Sequence, residues 1–336
     1  MSLNRNLSKD SKRIFIQNYS VWFLFLFCIF TLLLVISPKL VFPDFYLLND
    51  KGENSSKMIP FFSIIGGWWK YLFYIVMINF LGYRYSAKHE KKYFCLAILL
   101  FLFSTYLILG TSRWAIIFHF VVTFYLFRII FNRTLVKKLL VFVPLFVCLF
   151  FLITIYKFQN DLGSDYSLIN FADLFVSQLQ DYFSGPSLIG HAIDMGHKYN
   201  ITFETCWNDF VGAIPLLSKT VDQMNRTNIL FNQYVISPDT EWFTQIIPAT
   251  GLGYIYFGSM FAPIFTVVFN ILGLHFDYKL LNTSNLFVKY VLIYCSLWGG
   301  LSICFNTQIP FGNVVVYIFP LYLFYRLFSK LTIKLA

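Results

Sequence analysis

Apolar residues in this chain gather into long runs broken by short polar segments. The run length, more than any amphipathic period, carries the first signal. A helix needs roughly 17–25 residues to cross a bilayer. Runs of that size fall at 20–37, 62–82, 93–110, 114–131, 139–156, 245–273, 286–304 and 309–327. They predict an all-α, polytopic integral membrane protein of about eight transmembrane helices. The first run follows a basic stretch (Arg5, Lys9, Lys12, Arg13) as in a signal peptide. It lacks a small-residue cleavage site and further spans follow, so it reads as an anchor.

Between the fifth and sixth runs the pattern changes. Residues 157–243 are far too many for an ordinary connection. A loop longer than about 15 residues is usually functional or disordered. Helical patterning and many aromatics argue against disorder. Ile169, Asp173, Val176 and Gln180 form one stripe, and Phe171, Leu174, Phe175, Gln178, Leu179 and Tyr182 another, as in an interfacial helix. Ser184-Gly185-Pro186 then stops that helix and starts a second, with Pro186 at its first position. The chain thus divides into a five-span region (1–156), a large loop with amphipathic helices (157–244) and a three-span region (245–336).

Composition sharpens this reading. The 336 residues are 58% hydrophobic and only 12% charged, which excludes a water-soluble globule. A net charge of +10 suggests nucleic acid until the cations are located. With eight spans and a cytoplasmic N-terminus, 17 of the 26 Lys and Arg fall on five short cytoplasmic segments. By the positive-inside rule both termini are cytoplasmic and 157–243 is extracytoplasmic. The basic residues then serve topology, and no nucleic-acid partner is expected. The six cysteines show no metal-ligand spacing, and no GxGxxG or GxxxxGKS occurs.

Candidate chemistry lies among ionisable groups at membrane depth and in the loop. Lys70 sits in the second run with no acidic partner in the middle of any span, and snorkelling to an aromatic belt is its bland explanation. Arg113 follows Gly110-Thr111-Ser112 at the outer start of a helix, where a planar guanidinium beside backbone N–H groups suits a phosphate. An interfacial anchor is the alternative. In the loop, His191, Asp194 and His197 recur three residues apart. A metal triad there is conceivable, but the polar side of an amphipathic helix explains the spacing more simply, and no metal or other cofactor is expected. A single His as acid or base is the better use.

Three segments give a resemblance: Gly110-Thr111-Ser112-Arg113, Tyr182-Phe183-Ser184-Gly185-Pro186 in the large loop, and Gly251-Leu252-Gly253-Tyr254-Ile255-Tyr256-Phe257-Gly258 opening the next span. From about residue 60 onward the chain resembles the oligosaccharide repeat-unit polymerases, the Wzy-type O-antigen and capsule polymerases. The resemblance implies a GT-C-like glycosyltransferase of the bacterial inner membrane, joining undecaprenyl-diphosphate-linked repeat units on the outer face. It implies membrane lipids and lipid-linked repeat units as partners, with a chain-length regulator and flippase in the same pathway. Cationic stabilisation of the leaving diphosphate would fall to Arg113, Arg226, Lys198 and Lys70. Related enzymes often carry a His before the glycine-rich segment, whereas this chain reads Ser237-Pro238-Asp239-Thr240-Glu241-Trp242. His191 or Glu241 would therefore be the base, with Asp181, Glu204 and Asp209 next. A lipid-linked oligosaccharide flippase is the rival from another class, but two similar halves and polar residues threading the spans are not seen. A membrane O-acetyltransferase would present a His in an early span, and the first His here, His89, falls in a cytoplasmic turn.

Overall fold

A computed structural model describes residues 14–16, 18–42, 60–108, 113–141, 143–144, 148, 185–199, 201, 203–222, 225–235, 246–302 and 306–329, without the side chains of residues 60, 113, 138, 185, 186 and 203. Among the described residues there is no strand. The main helices are α1 (Tyr19–Ile36), α2 (Pro60–Lys88), α3 (Lys91–Ile108), α4 (Arg113–Ile130), α5 (Arg133–Lys138), α6 (Gly185–Lys198), α7 (Phe203–Gly212), α8 (Thr227–Val235), α9 (Ala249–Phe257), α10 (Ile264–Asn282) and α11 (Leu286–Gly300). The last, α12 (Gln308–Phe328), contains a π-helical stretch at Val314–Ile318.

Five of the described helices are long and apolar enough to cross a membrane: Tyr19–Ile36, Phe61–Lys88, Lys91–Ile108, Ser259–Asn282 and Gln308–Phe328. Trp114–Ile130 and Leu286–Gly300 are shorter apolar helices. Helices therefore occupy seven of the eight apolar runs. The eighth run, 139–156, lies outside the described residues except at 139–141, 143–144 and 148. The interfacial helix expected around 169–182 also lies outside them. The second loop helix is present as α6.

The chain forms two compact units, one within Met1–Ser164, Lys279–Tyr294 and Phe319–Ala336, the other within Asp165–Tyr278 and Cys295–Ile318. In the first, aromatic side chains knit α1 to α2, to the start of α11 and to the end of α12. Trp22 is buried between Phe287 (ring centroids 5.6 Å) and Phe328 (4.9 Å), and Phe287 stacks on Tyr325 at 4.9 Å. The Trp69 indole donates to the Leu26 carbonyl at 3.1 Å, satisfying its one polar atom inside the bundle. Gly66 lets α2 pass the Leu40 carbonyl, which a Cβ would meet at 2.8 Å.

The second unit is built on α6, α8 and α9. Leu188, Ala192 and Met195, one face of α6, are buried against Phe231, Ile247, Leu252 and Ile255. Close approach demands Gly251, where a Cβ would sit 2.9 Å from that of Ala192. At Gly253 a Cβ would fall 2.0 Å from the Ala262 carbonyl oxygen. Gly258 closes α9 at φ 78°, with an extended ψ, in a region only glycine occupies readily. The glycine-rich segment that gave the resemblance is thus explained by packing and by the chain reversal after α9. Further on, α10 and α11 cross at glycines, a Cβ on Gly299 meeting the Gly273 Cα at 2.9 Å.

Candidate functional site

With its apolar face packed, α6 presents His191, Asp194, His197 and Lys198 to the exterior. Tyrosines from other elements gather three of these four. The Lys198 Nζ lies 5.1 Å from the ring centre of Tyr234 and 5.6 Å from that of Tyr199. Both distances are within cation–π range. His191 meets the same Tyr234 ring edge-on at 6.5 Å. His197 Nε2 is 3.3 Å from the Tyr254 hydroxyl. The sequence candidates His191 and Lys198 therefore share one aromatic partner, contributed by α8. Sequence reasoning passed over Tyr234 and gave Tyr254 no role beyond its place in the glycine-rich segment, because a tyrosine in an aromatic-rich chain carries no signal by itself. Among the described residues no three His, Cys, Asp or Glu side chains group as a metal site, the His191, Asp194 and His197 set included.

Beneath this face lies a buried polar network. Asp209 on α7 is fully buried, and its Oδ1 accepts the Thr227 backbone N–H at 3.0 Å while Oδ2 accepts the Tyr256 hydroxyl. Tyr256 gives its only proton to the carboxylate, so Thr227 Oγ1 is the donor in its 2.9 Å contact with the Tyr256 oxygen. The Arg226 Nε lies 3.8 Å from Asp209 Oδ1, and the guanidinium packs over Gly212, whose missing side chain leaves it room. One carboxylate thus caps the first turn of α8, holds α9 through Tyr256 and faces a cation.

Burial is the largest influence on the Asp209 carboxyl and raises its pKa. The bonds from Thr227 and Tyr256 and the Arg226 charge pull it partly back. Cys206, one turn earlier on α7, has its thiol pushed up to about 11 by burial and by the Asp209 charge, which makes it a poor nucleophile.

The remaining sequence candidates separate. Arg226 joins Asp209 in this network, whereas Glu204 stands exposed in the first turn of α7. Lys70 is half-buried in α2, in the first unit. Arg113 begins α4, with its side chain outside the described residues, as are Glu241 and Asp181.

The first unit holds a group that sequence reasoning missed. His119 on α4 is fully buried, stacked on Phe101 (5.6 Å) and against the edge of Tyr74 (4.5 Å). Ser104 Oγ donates to the Phe101 carbonyl at 2.9 Å. Its one proton is then spent, so the 2.7 Å contact between Ser104 Oγ and His119 Nε2 is a bond donated by the imidazole. His119 Nδ1 is left as a buried lone pair without a partner among the described residues. Searching apolar runs for histidine as well as for Lys, Arg, Asp and Glu would have found it.

Comparison with protein-family models, with curated proteins and with solved structures found no match to this chain.

Proposed function

We propose that this chain is a membrane glycosyltransferase. It would join undecaprenyl-diphosphate-linked oligosaccharide repeat units into O-antigen, capsular or exopolysaccharide at the outer face of the bacterial inner membrane. In this reading eight helices span the membrane, both termini are cytoplasmic, and 157–244 is the extracytoplasmic loop between a five-span and a three-span region. The observation that carries the proposal is the face of α6, where His191, His197 and Lys198 gather on Tyr234 and Tyr254. Tyrosine faces suit sugar rings, an ammonium suits a diphosphate oxygen, and a neutral imidazole suits an attacking hydroxyl.

The reaction breaks the bond between the anomeric carbon of the growing chain and its lipid diphosphate. It forms a bond from that carbon to a hydroxyl oxygen of the incoming repeat unit. The hydroxyl proton goes to His191, or to Glu241 in its place. The charge left on the diphosphate is met by Lys198. The test is the full chain reconstituted with lipid-linked repeat units. Wild type should give a ladder of products, and His191→Gln and Lys198→Ala should each leave single units at unchanged protein level. Full ladders from both variants would refute the assignment of this face, and absence of any ladder from wild type would refute the activity.

His119 favours a second reading, acyl transfer, because its imidazole keeps one buried ring nitrogen without a partner among the described residues, the form in which it can take a proton from a hydroxyl brought to it. Incorporation of acetyl groups into surface polysaccharide, lost in His119→Ala with ladder length unchanged, would select it over polymerisation.

A further inference from the structure

Between α11 and α12 the chain buries consecutive polar side chains. Asn306 Oδ1 accepts the Ile247 N–H at 2.6 Å and so fixes the approach to α9. Thr307 and Gln308 follow, only 0% and 4% exposed. Thr307 is the N-cap residue of α12, yet its hydroxyl makes no capping bond. Thr307 Oγ1 and Gln308 Nε2 both have no hydrogen-bond partner among the described residues. Leaving such groups unsatisfied costs about 1–3 kcal/mol each, so two in consecutive buried residues call for a partner.

Several described polar groups of this segment and of α7 already have partners. Ile309 N–H donates to the Asn306 carbonyl (2.8 Å) and Phe311 N–H to that of Thr307 (3.3 Å), while Pro310 has no N–H. Ser302 Oγ donates to the Gly299 carbonyl at 2.8 Å. The packed helix α7 meets α12 through Phe210 and Phe311 (5.3 Å) and through Gly312, where a Cβ would sit 2.9 Å from the Ala213 carbonyl. Its buried carboxylate, Asp209, is held by Thr227, Tyr256 and Arg226. The two side chains therefore stand as donors at the positive end of a 21-residue helix. Such a setting selects an anionic oxygen over a cation.

We infer that the buried start of α12 binds a phosphoryl group, with Thr307 and Gln308 as its hydrogen-bond donors. Free phosphate and a lipid headgroup offer the same oxygens. Identifying the group with the diphosphate of the lipid-linked substrate rests on the function proposed above, but binding is measurable without polymerisation.

The experiment uses the purified full chain in a phosphate-free maltoside detergent, with inorganic diphosphate, undecaprenyl diphosphate and undecaprenol as probes. Binding is followed by tryptophan fluorescence. Thr307→Val and Gln308→Leu should each weaken the phosphorylated probes by about tenfold or more, the worth of a hydrogen bond to a charged oxygen. Thr307→Ser, which keeps the hydroxyl, should restore binding and serves as the folded control alongside the size-exclusion profile. Binding of inorganic diphosphate marks the headgroup as sufficient, and binding only of its undecaprenyl ester assigns the site to lipid, provided undecaprenol does not compete. Failure of both phosphorylated probes to bind wild type would mean that these donors hold water, and would overturn the proposal. Affinities unchanged in Thr307→Val and Gln308→Leu would overturn it equally. Binding that persists where no polymer forms would leave this site standing while removing the glycosyltransferase reading.

Discussion

Removing the Asp209 carboxylate should open the second unit. Asp209→Ala strips acceptors from the Thr227 backbone N–H and from the Tyr256 hydroxyl, and takes away the carboxylate facing Arg226. Two buried donors left unpaired cost about 1–3 kcal/mol each, and a cation losing its partner adds to that. The raised pKa of Asp209 tempers the sum, because burial already disfavours its charged form. A loss of about 3 kcal/mol is the resulting expectation, a factor of roughly 150 in the open population. Asp209→Asn keeps an acceptor for Thr227 and can donate to Tyr256, so its cost should stay near about 1 kcal/mol.

Cys206 supplies the assay. It is buried one turn from Asp209, and its thiol resists ionisation, so it should alkylate only when this part of the unit opens. In a full-length chain with the other five cysteines replaced, maleimide labelling should run roughly a hundredfold faster in Asp209→Ala, and several-fold faster in Asp209→Asn. The pH dependence has a definite sign. A carboxyl whose pKa is raised on folding binds more protons in the folded state, so its contribution falls as pH rises from the ordinary carboxylate value through the raised one. Wild type should therefore lose protection relative to Asp209→Asn as pH rises above the ordinary carboxylate value. Equal labelling of all three proteins, or protection that improves as pH rises, would refute the keystone role.

The glycines of α9 should rank by what they touch. Gly253→Ala should abolish stable expression because its Cβ lands on a backbone oxygen, and Gly251→Ala should lower the melting temperature measurably. Gly258→Ala should cost about 1 kcal/mol from its backbone angle alone. Any other order by thermal shift would show that the α6–α9 contact is not the limiting one. For topology, single cysteines at the exposed positions 191, 194, 197 and 198 should react with an impermeant maleimide in spheroplasts while those at 85–92 should not, and the reverse pattern would invert the proposed orientation.

The membrane class and most of the helices were legible because long apolar runs leave few alternatives: α1 to α4, α11 and α12 fall on the runs that the sequence marks. The run 245–273, expected as one span, is instead broken at Gly258 into α9 and α10, with the span-length apolar helix running from Ser259 to Asn282. The loop helix α6 was legible from Gly185-Pro186 at its start. What stayed hidden was pairing across distance. Asp209 and Arg226 each stood among the candidates, but nothing in a spacing of this size says that α7 and α8 bring them together. Tyr256 stood in the glycine-rich segment of the resemblance with no role given to it, and Thr227 carried no signal at all. His191 and Lys198 were named for their chemistry, yet the tyrosine that joins them lies on another helix. In the glycine-rich segment, Gly251 and Gly253 are accounted for by packing against Ala192 and Ala262.

These features locate where the second unit can change function without changing fold. Tyr254 and Tyr256 stand two residues apart on α9, one reaching His197 at the exposed face and the other reaching Asp209 in the interior. Tyr234 lies seven residues after Thr227 on α8, two helical turns from the residue that Asp209 caps. The buried carboxylate therefore fixes the two helices whose tyrosines hold His191, His197 and Lys198. The histidines and the lysine are exposed, and the contacts that gather them are those made with the rings. Replacement of Tyr234 by Phe preserves the ring that Lys198 and His191 meet, whereas replacement by Leu removes it. A site built this way should tolerate the first and lose its geometry with the second.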